Sequence, residues 1–440
     1  MRHWPSAFLL LSFLLVSAAS CSLVRGEDEV EVTPPPAATA APTIAVPLVS
    51  TQSPGVPPQE VGNRMLRLWI PPEIGARTEA GAQELISQVR AFRTGQNDLG
   101  VTIEQKPIEG AGGILNYLQT GRIVAAGIMP DIVAVPTSLL MDGRSRDLFF
   151  PLTDLADQSY IDGVFPAPAE QAMSGDEILG YPFATTGLTH LNFNPEVITQ
   201  TVPLLWTSFI SDTNHTLVLP ADSREGAMLG LQFYLAEGGT LVDGSGRPAL
   251  AAEPLARALT ILSTRKGNLL QSHQLKTLDE AWQYHQLGLS DFIWMRSDYL
   301  LERQLLDPTL IDSQGYLPVP GVDGPLTPLT TSWAWALTTN DPTRQAMAME
   351  LISYLTSPEN LANWSSRSQV LPAHRRAIDL LRGQNPYLEF AAEQMEVAGP
   401  MPISETSRIM DVLGDAVFQV LTTETSPAIL AEQAVTALRQ

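Results

Sequence analysis

Residues 64–73 read RMLRLWIPPE, an apolar run of Met65, Leu66, Leu68, Trp69 and Ile70 stopped by two consecutive prolines. Prolines cannot donate to a sheet ladder, so the run predicts a strand that ends at Ile70. Next comes EAGAQELISQVRAFRTG (79–95), with Leu85, Ile86, Val89 and Phe92 on one side of a helical wheel, which predicts an amphipathic helix. GVTIEQKPIE (100–109) predicts a second strand, and the uninterrupted apolar DIVAV of DIVAVPTS (131–138) a third, buried on both faces. Strand, helix and strand in this alternation predict an α/β class, with helices flanking a mainly parallel sheet. Further helices are predicted at 225–237, 252–266, 278–287, 342–356, 385–395, 406–422 and 426–438, and no internal repeat is evident.

The chain has 440 residues, beyond the size at which one core keeps growing, so two domains or lobes are expected. Hydrophobic residues make up 44%, enough for real cores. The 47 acidic against 26 basic residues give a net charge of −21, which disfavours nucleic acid and bare anionic membrane as partners. A single cysteine, Cys21, permits neither an internal disulfide nor a thiolate metal cage.

That cysteine sits in SAASCSLVRGEDEV (17–30). Arg2 and His3 open the chain, Ala7–Ala19 form an apolar core too short to span a bilayer comfortably, and Ala18, Ala19 and Ser20 precede Cys21. The run resembles a bacterial lipoprotein signal, with Ala18 where leucine is more usual. The resemblance implies that residues 1–20 are removed and that Cys21 carries the lipid. Residues 21–62 include VTPPPAATAAPTIAVPLVSTQSPGVPP, rich in proline, alanine and threonine and without helical or strand period. They predict a disordered tether of about 35 Å mean reach.

From residue 63 onward, several stretches carry a second resemblance: GIMPDIVAVPTSLL, DEILGYPFATTGLTHLNFNPEVI, PLLWTSFI, AEGGTLVDGSGRPAL, the long GYLPVPGVDGPLTPLTTSWAWALTTNDPTRQAMAMELISYLTSPENLANW, and LPAHRRAI. In this order they resemble the landmarks of extracellular solute-binding proteins of ABC importers, in the carbohydrate-type group that includes maltose-binding protein. The resemblance implies a type II periplasmic-binding-protein clamp whose two discontinuous lobes are joined by three crossovers, near 184–190, 325–332 and 368–374. Lobe one is then 63–186 and 330–370, and lobe two 187–329 and 371–440. The implied partners are a small solute, most readily a sugar or oligosaccharide, and the permease subunits. A monomer, lipid-anchored on the extracytoplasmic face of the cell membrane, is expected.

Open α/β sheets bind ligands beyond the carboxyl ends of their strands, which nominates Glu73 after the first strand and Pro136, Thr137 and Ser138 after the third. Sugars need aromatic faces for their C–H surfaces and fixed polar groups for their hydroxyls. By the resemblance, Thr186 stands where the maltose-binding group uses a carboxylate, which argues against maltose-like specificity. PADSRE places Asp222, Ser223, Arg224 and Glu225 in a ligand-facing loop, although Asp222 and Ser223 read equally as a helix cap. DFIWMRSDYL offers Trp294, Arg296, Asp298 and Tyr299, with Trp294 also readable as core beside Phe292 and Ile293. In TTSWAW the strand period puts Trp333 and Trp335 on one face, and Trp333, nearer the crossing, is the preferred ligand contact. Met410 in MPISETSRIM is a further candidate, whereas Trp69, Trp206 and Trp364 read as structural.

Enzymatic readings find little support. There is no Gly-x-Ser-x-Gly elbow, no His-Glu-x-x-His pair and no glycine-rich phosphate loop, and the histidines at 190, 215, 273, 285 and 374 lack ligand spacing. No catalytic residue, metal or cofactor is expected. Asp222 and Glu225 as a glycosidase pair form the alternative from another class, and a receptor for a glycerol phosphoester or polyamine the alternative within it.

Overall fold

In the computed structural model, strand β1 (Met65–Ile70) alternates as its sequence predicts: Leu66, Leu68 and Ile70 enter one core, and Trp69 points into another. The structure describes residues 64–439 except 97, 125–127, 143–144, 212–214, 265–267, 270–273 and 405–406. The expected signal, Cys21 and the tether to residue 62 lie outside the described residues.

Pro72 stops β1 and occupies the first position of the one-turn helix α1 (Pro72–Gly75), where its missing N–H costs nothing. Thr78 caps α2 (Glu79–Thr94) by accepting the Gly81 N–H at 2.9 Å, and α2 buries Leu85, Val89 and Phe92. β2 (Gly100–Gln105) then pairs in parallel along all of β1, and β3 (Ile132–Pro136) pairs in parallel on its other side. Between them, α3 (Ile114–Val124) forms the crossover.

The expectation of a mainly parallel sheet holds for β2-β1-β3 and then fails. β4 (Tyr181–Thr186) leads into β5 (Thr189–Phe193) of a second sheet, where β6 (Leu217–Val218), β7 (Phe292–Arg296) and β8 (Gly315–Leu317) also lie. The chain returns through β9 (Leu329–Leu337), which inserts antiparallel between β3 and β4 because it re-enters from the opposite end. With β10 (Leu371–Pro372) and β11 (Gly399–Pro400), the first sheet has seven strands, in the order β10-β4-β9-β3-β1-β2 with β11 beside β9; the second has four, ordered β8-β5-β7-β6.

The seven later helices fall where predicted: α4 (Arg224–Ala236), α5 (Ala252–Ser263), α6 (Leu278–Gln286), α8 (Pro342–Leu355), α10 (Pro386–Val397), α11 (Arg408–Thr422) and α12 (Pro427–Arg439); α7 (Ser297–Leu306) and α9 (Pro358–Ser368) lie among them, and shorter helices of four to six residues connect other elements. Helices α4, α5, α11 and α12 enclose one core with Phe292 and Trp294, while Ile293 and Met295 on the other face of β7 join a larger core that extends across both sheets. Among the described residues no helix is long and apolar enough to cross a membrane.

The expected boundary at 370/371 does not coincide with a change of sheet. Leu371 and Pro372 pair with Thr185 and Ala184 in the first sheet, whereas the Tyr387 and Phe390 rings of α10 lie 5.0 and 5.7 Å from that of Tyr316 in β8 of the second. Gly399 and Pro400 pair with β9, and the chain joins the second core in earnest with α11.

Candidate functional site

Because β9 runs antiparallel to β3 and β4, its first half lies beside their carboxyl ends: Trp333 pairs with Pro136 and Thr331 with Thr186. The second sheet meets this edge through the crossing after Thr186. There Gly187 takes φ +73°, a left-handed turn that favours glycine, and Thr189 pairs with Arg296 at the carboxyl end of β7. The ends of β1, β3, β4 and β7 thus gather around one crossing.

On the first-sheet side, Glu73 is exposed in the first turn of α1, and Ser138 is exposed just beyond β3. Thr137 between them is fully buried: its hydroxyl donates to Gln171 Oε1 at 2.6 Å and lies 3.2 Å from the Ser332 carbonyl. Its chemistry is consumed inside the lobe. Thr186 is half-buried; its hydroxyl donates to Thr331 O at 3.3 Å and accepts the Trp333 indole N–H at 3.4 Å. Trp333 keeps 7% of its surface exposed, whereas Trp335 stacks on Phe183 at 4.4 Å inside the core. Both rings are buried in one core, and Trp333 differs in bonding Thr186 beside the crossing.

On the second-sheet side, Ser223 is the N-cap of α4, accepting the Glu225 N–H at 3.1 Å. Its hydroxyl lies between Pro220 O and Glu225 Oε2, the latter at 2.7 Å, so the cap reading holds for Ser223. Asp222 is left exposed. With Ser223, Arg224, Met410, Asp411 and Asp415 it lines an open cleft of about 500 Å³ between the starts of α4 and α11. Met410 is only 2% exposed, its side chain mostly within the second core.

The expected roles of Trp294, Arg296 and Asp298 are corrected. Trp294 is not at the cleft: with no exposed surface, it packs in the core enclosed by α4, α5, α11 and α12. Period two explains this, since Phe292 and Trp294 must share a face of β7. Arg296 and Asp298 spend their charges on each other, Nη2 to Oδ2 at 3.1 Å, rather than on open space. Burial pushes the Asp298 carboxyl up, but the neighbouring Arg296 and Arg77 guanidiniums outweigh it and hold the group below the usual range. Tyr299 is half-buried and donates its phenol to Asp279 Oδ1 at 2.6 Å, while the Arg303 guanidinium sits 4.7 Å over its ring. Burial and then Asp279 push that phenol well up.

Sequence reasoning passed over Lys106, whose ammonium lies 4.7 Å from the Trp69 ring centre and 4.8 Å from that of Tyr117. It directly follows β2, so the strand-end rule that nominated Glu73 could have found it. Among the described residues, no group of His, Cys, Asp and Glu is placed to hold a metal ion.

No curated protein sequence matches the chain. Solved structures that resemble it include the sugar-binding protein MalE of Xanthomonas citri, at 16% identity and TM-score 0.68, covering 85% of this chain and 96% of that one. The maltose-binding periplasmic protein MalE of Listeria monocytogenes, in complex with maltose, matches at 15% identity and TM-score 0.64, covering 85% and 96%. A putative oligosaccharide periplasmic-binding protein from Synechococcus matches at 17% identity and TM-score 0.63, covering 84% and 97%. At such identities the likeness establishes the fold, a two-lobed maltose-binding-protein-like clamp. The family model described as bacterial extracellular solute-binding protein matches residues 89–380, about two thirds of the sequence, and implies an extracytoplasmic location. The chain belongs to the bacterial extracellular solute-binding proteins.

Proposed function

We propose that this protein captures a sugar or oligosaccharide between its two lobes and delivers it to an ABC permease, held as a monomer at the extracytoplasmic membrane face by lipid on Cys21. The observation that carries this reading is the gathering of strand ends from both sheets around the Thr186–Thr189 crossing, where open α/β sheets bind ligands. The proposed contacts are Glu73, Ser138, Thr186 and Trp333 from the first lobe, and Asp222 and Tyr299 from the second. Trp333 supplies an aromatic face, and the carboxylates accept hydroxyl bonds. Asp222, Asp411 and Asp415 outnumber Arg224 along the second-lobe cleft, a charge balance that suits a polyhydroxyl solute and repels a phosphoester.

Capture without chemistry fits the same residues. Glu225, the carboxylate that would complete a glycosidase pair with Asp222, is engaged by the cap of its own helix. Known neighbours are binding proteins, among them a maltotriose-binding protein of Thermus thermophilus. Membrane vesicles from cells producing the full chain, incubated with a mixture of labelled oligosaccharides, are expected to retain one of them and release it at its original length, whereas a Cys21→Ser variant leaves the vesicles. Shortened sugar in the released fraction contradicts the binder reading, and vesicle retention of Cys21→Ser contradicts the anchor.

A further inference from the structure

A polar link between the two lobes is made by Arg77, a residue that no functional motif contains. Arg77 lies in the turn between α1 and α2 of the first lobe. Its Nη2 donates to the Asp298 carbonyl at 3.0 Å and sits 3.6 Å from Asp298 Oδ2 and 3.5 Å from Glu302 Oε2, all on α7 of the second lobe. The Asp298 carboxylate is itself tied to the crossing: Oδ1 accepts the Gly187 N–H at 3.2 Å, and Oδ2 takes Arg296 Nη2 at 3.1 Å. Beside it, the Leu188 N–H donates to Ser297 Oγ at 3.1 Å and the Ser297 N–H to Leu188 O at 3.0 Å. One buried carboxylate therefore joins the backbone of the crossing, the second lobe through Arg296 and the first lobe through Arg77.

We propose that Arg77 is a positioning residue for solute capture: acting through Asp298 and Glu302, it ties the first lobe to the crossing and favours the closed arrangement. The inference rests on the lobe-closure reading above. Its direction follows from topology. α1 follows the carboxyl end of β1 and α7 that of β7, so the bridge joins two edges that face the cleft and approach one another when it narrows. A contact made more fully in one of two states shifts the population toward that state, and solute affinity follows the population without any contact between Arg77 and solute.

The arrangement also makes the test clean. Removing Arg77 leaves Asp298 with Arg296 and the Gly187 N–H, so no buried charge is stranded and the fold should survive. The full chain, with Cys21→Ser and spin labels on cysteines replacing Glu253 of α5 and Glu359 of α9, reports lobe separation without any sugar. Arg77→Met is expected to lengthen the mean label distance, to weaken maltotetraose binding about tenfold, and to leave the melting temperature within about 2 °C of the parent. Arg77→Lys, retaining charge but not the planar fork, should recover part of both shifts. An unchanged distance distribution in Arg77→Met, or a lengthened one with undiminished affinity, overturns the proposal. If the parent itself binds no maltotetraose, that result counts against a maltodextrin ligand alone, and the ligand-free distances still decide the role of Arg77.

Discussion

Trp294→Ala should lower the melting temperature of the ligand-free protein by about 5 °C and leave oligosaccharide affinity near that of the parent at 25 °C. The indole fills the core between β7 and helices α4, α5, α11 and α12 with no exposed surface. Truncating a buried tryptophan costs about 3–5 kcal/mol, because the surrounding helices collapse only partly onto the space. For a folded region of this length the unfolding entropy, near 2 cal/mol/K per residue, converts that loss to about 4–6 °C. Trp333→Ala is the informative comparison, since its indole bonds Thr186 at the crossing and keeps some exposure. A Trp294→Ala protein that melts normally but binds tenfold more weakly would return this ring to the cleft and contradict its placement in the core.

Acid should destabilise the fold well before its carboxylates titrate. Burial lowers His190 to about 4, with its Nδ1–H donated to the Leu188 carbonyl. Burial and then Arg376 and Arg375 lower His374 to about 4 as well; its ring stacks on Tyr160 at 4.6 Å, and its Nδ1 accepts the Arg376 N–H. An unfolded histidine titrates near 6.5, so between about pH 6.5 and 4 the unfolded chain holds one more proton at each site. Both depressed values therefore give stability that is present above pH 6.5 and lost as pH falls toward 4. The loss from pH 7 to pH 5 is roughly 2 kcal/mol per histidine and roughly 4 kcal/mol for the two. Chemical denaturation at the two pH values checks this, and His374→Asn, which keeps an acceptor for the cap, should reduce the difference by roughly 2 kcal/mol. Stability that is flat or rising toward pH 5 contradicts the buried neutral state of both rings.

The parts of this fold that read directly from sequence are those whose contacts are local. An amphipathic period fixes α2 or α11 whatever lies opposite, and consecutive prolines end β1 by removing donors. Ser223 is similarly legible, since a serine two residues before the glutamate whose N–H it accepts is a cap by local geometry. What escaped was non-local. Nothing in LTTSWAWAL says that β9 runs antiparallel between β3 and β4, because its register depends on partners roughly 150 to 200 residues earlier. The two-residue strands β10 and β11 have no period at all, which is why their pairing with the first sheet could not be read from sequence.

The site shows the same division. Strand ends nominate positions but not directions, so Thr137 and Ser138 looked equivalent although one is buried and bonded and the other exposed. Trp294 was within reach of a stricter reading, since its alternation with Phe292 places it toward the helices. Arg77 was not: its partner lies 221 residues away, and no property of PPEIGARTE announces it. Charge clusters assembled by long-range packing are the features that sequence spacing cannot supply.

Capture by closure is the centre of this account, and small-angle scattering during a maltodextrin titration tests it most directly. With binding followed in parallel by calorimetry, the radius of gyration and maximum dimension of the folded region should fall together as the sites fill, and saturate at the same sugar concentration. Calorimetric binding with an unchanged scattering profile would contradict it.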